Sequence, residues 1–200
     1  MRVRDLMVEN PITIGPDAAI SDALRLMKRS RIRHLPVVES SGQLRGFVTL
    51  ADLKEGLLPS MVGDVALADL MIADPVTVAP DDSVETAARR IYHHKISGMP
   101  VVVRNRLAGI ITETDILRTF IQMMGILNSG CRVDVVLGRA PESLNRAIRI
   151  VQEAGGEVLS LSLTEADGKR IGRLRLSPCP LGDIATALAA AGFPVQDAAD

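Results

Sequence analysis

Tryptophan is absent from the 200 residues, and Tyr92, Phe47, Phe120 and Phe193 make up all of the 2% aromatic content. That poverty excludes the aromatic stacking platforms that hold single-stranded nucleic acid. A formal net charge of -1 leaves no basic excess for nucleic acid or an anionic membrane surface. The only two cysteines, Cys131 and Cys179, are too few for a disulfide framework and read as small buried residues. No window offers the roughly 18 apolar residues of a membrane span. Met1-Arg2-Val3-Arg4-Asp5 is followed by no apolar targeting segment. The expectation is a cytoplasmic protein with no nucleic-acid or membrane partner. There is also no P-loop lysine, no supported Ser-His-Asp order, and no His/Cys cluster at metal spacing. His93 and His94 are adjacent rather than four apart, so no metal is expected there. A regulator, not an enzyme, is expected.

What is present is a chain that repeats itself. Asp5-Leu6-Met7 and Pro11-Ile12-Thr13 return 64 residues later as Asp69-Leu70-Met71 and Pro75-Val76-Thr77. Pro36-Val37-Val38 returns as Pro100-Val101-Val102, and after the loss of one residue Gly46, Thr49 and Asp52 return as Gly109, Thr112 and Asp115. Two copies of so long a period indicate a duplicated unit rather than a solenoid. Each copy is short for a core of its own. The two are therefore expected to pack sheet to sheet as one pseudo-symmetric unit, with polar residues in two equivalent places.

Each copy reads strand, helix, strand, strand, helix. Ile12-Thr13-Ile14 is a short β-rich run, and Ile20, Ala23, Leu24 and Met27 form a helical stripe. The runs 34–39 and 44–50 flank a turn at Ser40-Ser41-Gly42, and a second helix starts near Ala51. In the second copy Val84, Ala87, Ala88 and Ile91 carry the stripe. The runs 99–103 and 107–112 flank Arg104-Asn105-Arg106, and a last helix ends at Gly125.

The chemistry sits in Gly46-Phe47-Val48-Thr49-Leu50-Ala51-Asp52 and its twin Gly109-Ile110-Ile111-Thr112-Glu113-Thr114-Asp115. On spacing alone, Thr-x-x-Asp before an apolar helix is a capping box. The same groups also suit a nucleotide. Glycine admits a close approach to the backbone, a carboxylate accepts from a ribose diol, and a hydroxyl with free helix N–H groups suits phosphate. Both readings stand. Arg31, Arg33 and His34 make the first copy more cationic than Ser97 and Gly98 make the second, and a polyphosphate or solvent could equally be what they meet.

Residues 1–125 resemble a tandem pair of CBS (cystathionine-β-synthase) domains, a Bateman module. The Gly-hydrophobic-x-Thr-x-x-Asp pattern is intact in both copies, with the Asp-Leu-Met opening, the Pro-x-Thr run and the Leu-Pro-Val or Met-Pro-Val strand. The resemblance implies clefts for adenosine-containing ligands: AMP, ADP, ATP or S-adenosylmethionine. It implies Gly46, Thr49 and Asp52 for one site, with Arg33, His34 and Pro36, and Gly109, Thr112 and Asp115 for the other, with Met99 and Pro100.

Beyond Leu127-Asn128-Ser129-Gly130 the pattern changes. Cys131 to Leu137 alternates as a strand, and Leu144, Ala147, Ile148 and Val151 stripe a helix. Two further strands meet at Asp167-Gly168, then Ile184, Ala185, Leu188 and Ala189 stripe a helix before a last strand at 193–196. The order βαββαβ is ferredoxin-like. The region resembles an ACT domain, but Glu142 stands where amino-acid-binding members usually carry Gly. The whole order is similar to the bacterial acetoin-utilisation CBS–ACT proteins.

The expected fold is thus mixed α/β (α+β): CBS domains at 1–62 and 63–125, a linker at 126–130, and an ACT-like domain at 131–200. The expected function is regulatory, with an adenine nucleotide bound, a homodimer formed and a signal passed to an unknown protein partner. The alternatives are a dimeric scaffold with empty clefts or an amino-acid-responsive ACT regulator. No cofactor is required.

Overall fold

The computed structural model describes residues 1–60, 66–125 and 130–199, with the side chains of 56–60 excepted. The expected boundary between the CBS domains at 62–63 and the expected linker positions 126–129 lie outside the described residues. The chain forms two compact units, Met1–Leu117 and Arg118–Asp200.

In the first unit, Val8–Glu9 is strand β1, Ile20–Ser30 helix α1, His34–Val38 and Leu44–Thr49 strands β2 and β3, and Leu50–Ser60 helix α2. The second copy supplies a short helix α3 (Leu67–Leu70), α4 (Val84–His94), β4 (Gly98–Val103), β5 (Arg106–Thr112) and α5 (Glu113–Met123). Helices α1 and α4 form because their apolar residues recur on one face, burying Ile20, Ala23 and Met27 in one copy and Val84, Ala87 and Ile91 in the other. Both end on a non-glycine residue in the left-handed region, Arg31 at φ 55° and Lys95 at φ 53°. This conformation is costly for such residues.

The two hairpins form as the sequence predicts, β2 with β3 and β4 with β5, with register shifts between Val37 and Val38 and between Val101 and Val102. The run Ile12–Ile14 does not become a ladder strand. Ile14 makes a single parallel bridge to Val37, as Val78 does to Val101. Proline flanks this run at Pro11 and Pro16, restricting the backbone on both sides.

The opening segment of each copy crosses to the other copy. β1 pairs with β5, Val8 opposite Ile110 and Glu9 opposite Gly109, while Ile72 bridges Phe47. The cores follow the crossing. Val3, Leu6 and Met7 pack among Ile91, Met99 and Ile111, and Leu67, Leu70 and Met71 pack among Met27, Leu35 and Val48. This explains the recurrent Asp-Leu-Met. Asp5 and Asp69 accept the backbone N–H of Arg2 (2.7 Å) and Ala66 (3.0 Å), fixing a short helical turn, while Leu and Met enter the opposite core. The hairpin tips also meet, with Gln43 bridging Arg106. The expected contact between the copies is therefore an exchange of segments as well as a docking of sheets.

In the second unit, β6 (Arg132–Leu137), α6 (Ser143–Glu153), β7 (Val158–Ala166), β8 (Lys169–Leu176), α7 (Leu181–Ala190) and β9 (Val195–Ala199) follow the predicted βαββαβ order. The antiparallel sheet runs β7-β8-β6-β9. Val133, Val135, Leu137, Leu174 and Leu176 on one face pack with Ala147, Val151, Ile184 and Leu188. The last strand starts later than the predicted 193–196, because Pro194 offers only its carbonyl, which accepts from Val136 N–H at 2.9 Å. Cys131 is buried and donates its thiol to the Cys179 carbonyl at 3.4 Å, and the two cysteines form no disulfide. No described helix is long and apolar enough to cross a membrane.

Candidate functional site

Helices α2 and α5 begin directly at the ends of β3 and β5, so Thr49 and Thr112 are the residues before each first turn. Both capping boxes are made. Asp52 Oδ2 accepts Thr49 N–H at 2.7 Å, and Thr49 Oγ1 accepts Asp52 N–H at 3.3 Å. In the second box Asp115 Oδ2 accepts Thr112 N–H at 2.9 Å, and Thr112 Oγ1 accepts Asp115 N–H at 3.4 Å. The Thr112 hydroxyl additionally donates to Asp115 Oδ2 at 2.6 Å. In each box the carboxylate engages through Oδ2.

The boxes flank a pair formed by the buried His34 and the half-buried Ser97. His34 Nε2 lies 2.7 Å from Ser97 Oγ, joining the two copies, and the imidazole stacks on Phe47. By the 64-residue repeat the twin of His34 is Gly98 and the twin of Arg33 is Ser97, so this pair breaks the symmetry of the unit. Burial pushes the His34 pKa below its ordinary 6.5 and the neighbouring Arg33 charge lowers it further, against the opposing pull of Glu113, Asp115 and Asp52. The unfolded chain therefore takes up this proton more readily than the folded one. The stability that His34 contributes is complete above about pH 6.5 and is lost as the pH falls through the depressed folded value. The melting temperature is expected to fall between pH 7 and pH 5.5, with a shallower fall in His34→Gln. Parallel pH profiles for the two proteins would refute this.

Two cavities are lined by members of the pair, and a third shares Arg33 and Leu50 with one of them. One of about 290 Å³ is lined by Arg33, His34, Thr49, Leu50, Lys54 and Ser97. Beside it, Met27, Lys28, Arg31 and Leu50 line about 450 Å³. Their counterpart in the second copy, about 640 Å³, is lined by Ile91, His93, Lys95, Ser97 and Glu113. The expected grouping of Arg33, His34 and Thr49 is thus observed. Lys54 joins it, although nothing in the sequence singled it out; its place five residues beyond Thr49, just over one helical turn, was the available signal. The second copy has Ser97 for Arg33, Leu117 for Lys54 and Glu113 for Leu50, so it loses two cations and gains a carboxylate.

Other expected site residues are placed differently. Pro36, Met99 and Pro100 are buried within the sheets and line none of these cavities. Thr112, Asp52 and Asp115 are half-buried beside them. The close approach anticipated at Gly46 and Gly109 is made by the chain itself. A Cβ on Gly46 would stand 2.6 Å from Met71 Sδ, and one on Gly109 would stand 2.8 Å from the Val8 carbonyl oxygen.

The family model for the CBS domain matches residues 3–58 and 63–122, more than half of the chain. The chain belongs to the CBS-domain family. Among solved structures, the CBS pair is similar to AcuB of Vibrio cholerae, a candidate acetoin utilization protein (31% identity, 64% of this chain, 95% of that one, TM-score 0.57). It is also similar to the CBS pair of MJ0100, solved with 5-methylthioadenosine and S-adenosyl-L-methionine (30% identity, 60% of this chain, 95% of that one, TM-score 0.56). A third likeness is CBSX2 in complex with AMP (29% identity, 60% of this chain, 96% of that one, TM-score 0.54). Curated relatives include a homoserine O-acetyltransferase of Methanococcoides burtonii, 38% identical over 117 residues. That match takes in 58% of this chain and only 23% of the relative, so the acetyltransferase activity does not transfer with it.

Proposed function

We propose that the CBS pair is a cytoplasmic sensor of adenosine-containing ligands of the AMP, ADP, ATP or S-adenosylmethionine class, regulating a protein partner. The observation that carries this reading is the convergence of two Thr-x-x-Asp boxes on the His34–Ser97 pair, one of them beside a cation-lined cavity. Asp52 and Asp115 accept the ribose diol, and the Thr49 and Thr112 ends of the helices receive phosphate. Gly46 and Gly109 hold the crossing segments beneath the sites, while Pro36, Met99 and Pro100 shape the sheets behind them. The ligands of MJ0100 and CBSX2 support the ligand class. Homodimerisation is part of the proposal, with Leu117, 60% exposed on α5, as an apolar contact.

Arg33 and Lys54 make the first cleft the polyphosphate site. Calorimetric titration is expected to show ATP bound roughly tenfold more tightly than adenosine, with the preference lost in the Arg33→Ala, Lys54→Ala double variant. Absence of binding by adenosine, AMP, ATP and S-adenosylmethionine alike would reject the sensor and leave a scaffold whose boxes only cap helices.

A second reading, an amino-acid-responsive ACT-like domain, is favoured by a cavity of about 570 Å³ at the head of α6 lined by Gly138, Glu142, Ser143, Arg146 and Phe193. Glu142 there repels a carboxylate, so titration with amino acids is expected to give at most weak binding.

A further inference from the structure

One cavity occurs twice in the CBS pair, with two different linings. Positions around the cavity of about 450 Å³ in the first copy return around that of about 640 Å³ in the second. Met27 returns as Ile91, Lys28 as Tyr92, Arg31 as Lys95, Ile32 as Ile96, Arg33 as Ser97 and Leu50 as Glu113. The apolar positions stay apolar, and the cation at the left-handed end of the helix is kept, with Arg31 at φ 55° and Lys95 at φ 53°. The fixed charge changes. Lys28, Arg31 and Arg33 line the first cavity, whereas the second has one lysine, Lys95, against one carboxylate, Glu113. His93 is the remaining imidazole of that lining.

Two of the replacements act in the same direction. Glu113 is the first residue of α5, directly after Thr112. The helix dipole would draw a phosphate to that end, and a carboxylate fixed there opposes one. The charge of Glu113 is felt across the copies, where it pulls the His34 imidazole towards protonation. Tyr92, the only tyrosine of the chain, stands at the rim of the same cavity, 80% exposed, with its ring edge-on to His93. A carboxylate beside an open aromatic ring is the chemistry that recognises an organic cation.

We infer, on the reading of the CBS pair as an adenosine sensor, that the second cleft selects adenosine compounds whose 5′ substituent is a sulfonium or an ammonium. Glu113 and Tyr92 determine the selection. The ribose lies at the Thr112–Asp115 box, Ile91 and Ile96 supply the apolar wall, and the substituent runs to the head of α5. A polyphosphate on the same path meets the Glu113 carboxylate. It also finds Ser97 and Leu117 where the first copy offers Arg33 and Lys54, leaving Lys95 to offset its charge. The two clefts thereby read different members of one ligand class.

S-adenosylmethionine and S-adenosylhomocysteine differ by one methyl group and the sulfonium charge, so they are the probe pair, with ATP and adenosine beside them. Amide resonances of the full chain report each cleft separately, Lys95, Ser97 and Glu113 for the second and Arg33, Thr49 and Lys54 for the first. At the second cleft S-adenosylmethionine is expected to bind roughly fivefold more tightly than S-adenosylhomocysteine, and ATP no more tightly than adenosine. Glu113→Gln should remove most of that ratio while leaving the affinity for adenosine unchanged. Tyr92→Lys, which installs the residue of the first copy, should raise the affinity for ATP and lower that for S-adenosylmethionine. A Glu113→Gln variant that loses melting temperature and keeps the ratio would assign Glu113 to the helix dipole alone and overturn the proposal. Adenosine shifting the second cleft while the two probes bind it equally would leave the sensor standing and overturn the selection. No shift of the second cleft by any of these compounds would overturn both.

Discussion

Asp52→Asn is expected to weaken adenine-nucleotide binding roughly tenfold or more while leaving the melting temperature nearly unchanged. The two roles of Asp52 separate under this substitution. As a capping residue it needs one oxygen to accept Thr49 N–H, now at 2.7 Å, and an amide oxygen can replace it. The stability cost is then the lost charge at the head of α2, about 0.3–1 kcal/mol. As a ribose ligand it needs both acceptor oxygens, and the amide turns one into a donor facing a hydroxyl. Asp115→Asn separates the roles less cleanly, because the Thr112 hydroxyl also donates to Asp115 Oδ2. Its stability loss should be the larger of the two. Calorimetry paired with thermal melts reads both quantities. A variant that melts normally and binds nucleotide like the parent would mean that the box is only a cap.

Gly109→Ala is expected to lower stability by about 1–3 kcal/mol, the usual cost of overpacking. At roughly 2–4 °C per kcal/mol for a chain of this size, the melting temperature should fall by several degrees. The new methyl would lie 2.8 Å from the Val8 carbonyl oxygen and 2.9 Å from Met7 Sδ. Backbone cannot swing aside, so β1 must lift from β5, and Val3 and Met7 move with it out of the core they share with Met99 and Ile111. Gly46→Ala should cost less, since the nearest atom there is the flexible Met71 Sδ. Gly182→Ala, with nothing near its added carbon, is the control and should lose nothing. Equal melting of the Gly109 and Gly182 variants would contradict the crossing of segments.

The duplication, both hairpins, both boxes and the βαββαβ order were legible because each leaves a local signature, whether a repeat, an alternation, a turn or a cap. The crossing of segments was not. β1 has two residues and Ile72 a single bridge, too short for any period, and no periodicity says which sheet an edge segment joins. For the same reason glycines that admit a neighbouring strand looked like glycines that admit a ligand. Lys54 reaches the first cavity only because α2 starts at once after β3. Met99 and the two prolines match the family pattern, yet β2 and β4 are covered on both faces at these positions, so consecutive residues are buried. The end of α5 groups with the second unit, ahead of the composition change at 128–130, because Ser160 holds the Met124 carbonyl.

The central claim is that adenosine compounds bind at the two Thr-x-x-Asp boxes, and the wild-type protein tests it without any substitution. Backbone amide resonances of Thr49, Asp52, Thr112 and Asp115 can be followed while AMP is added. Those four amides bond within the boxes, at 2.7 to 3.4 Å, so a ligand engaging the carboxylates or hydroxyls must move them. The account predicts saturable shifts at one or both boxes, with His34 and Ser97 shifting alongside. Box resonances that stay fixed while AMP saturates another surface, or that stay fixed because AMP does not bind, would contradict it.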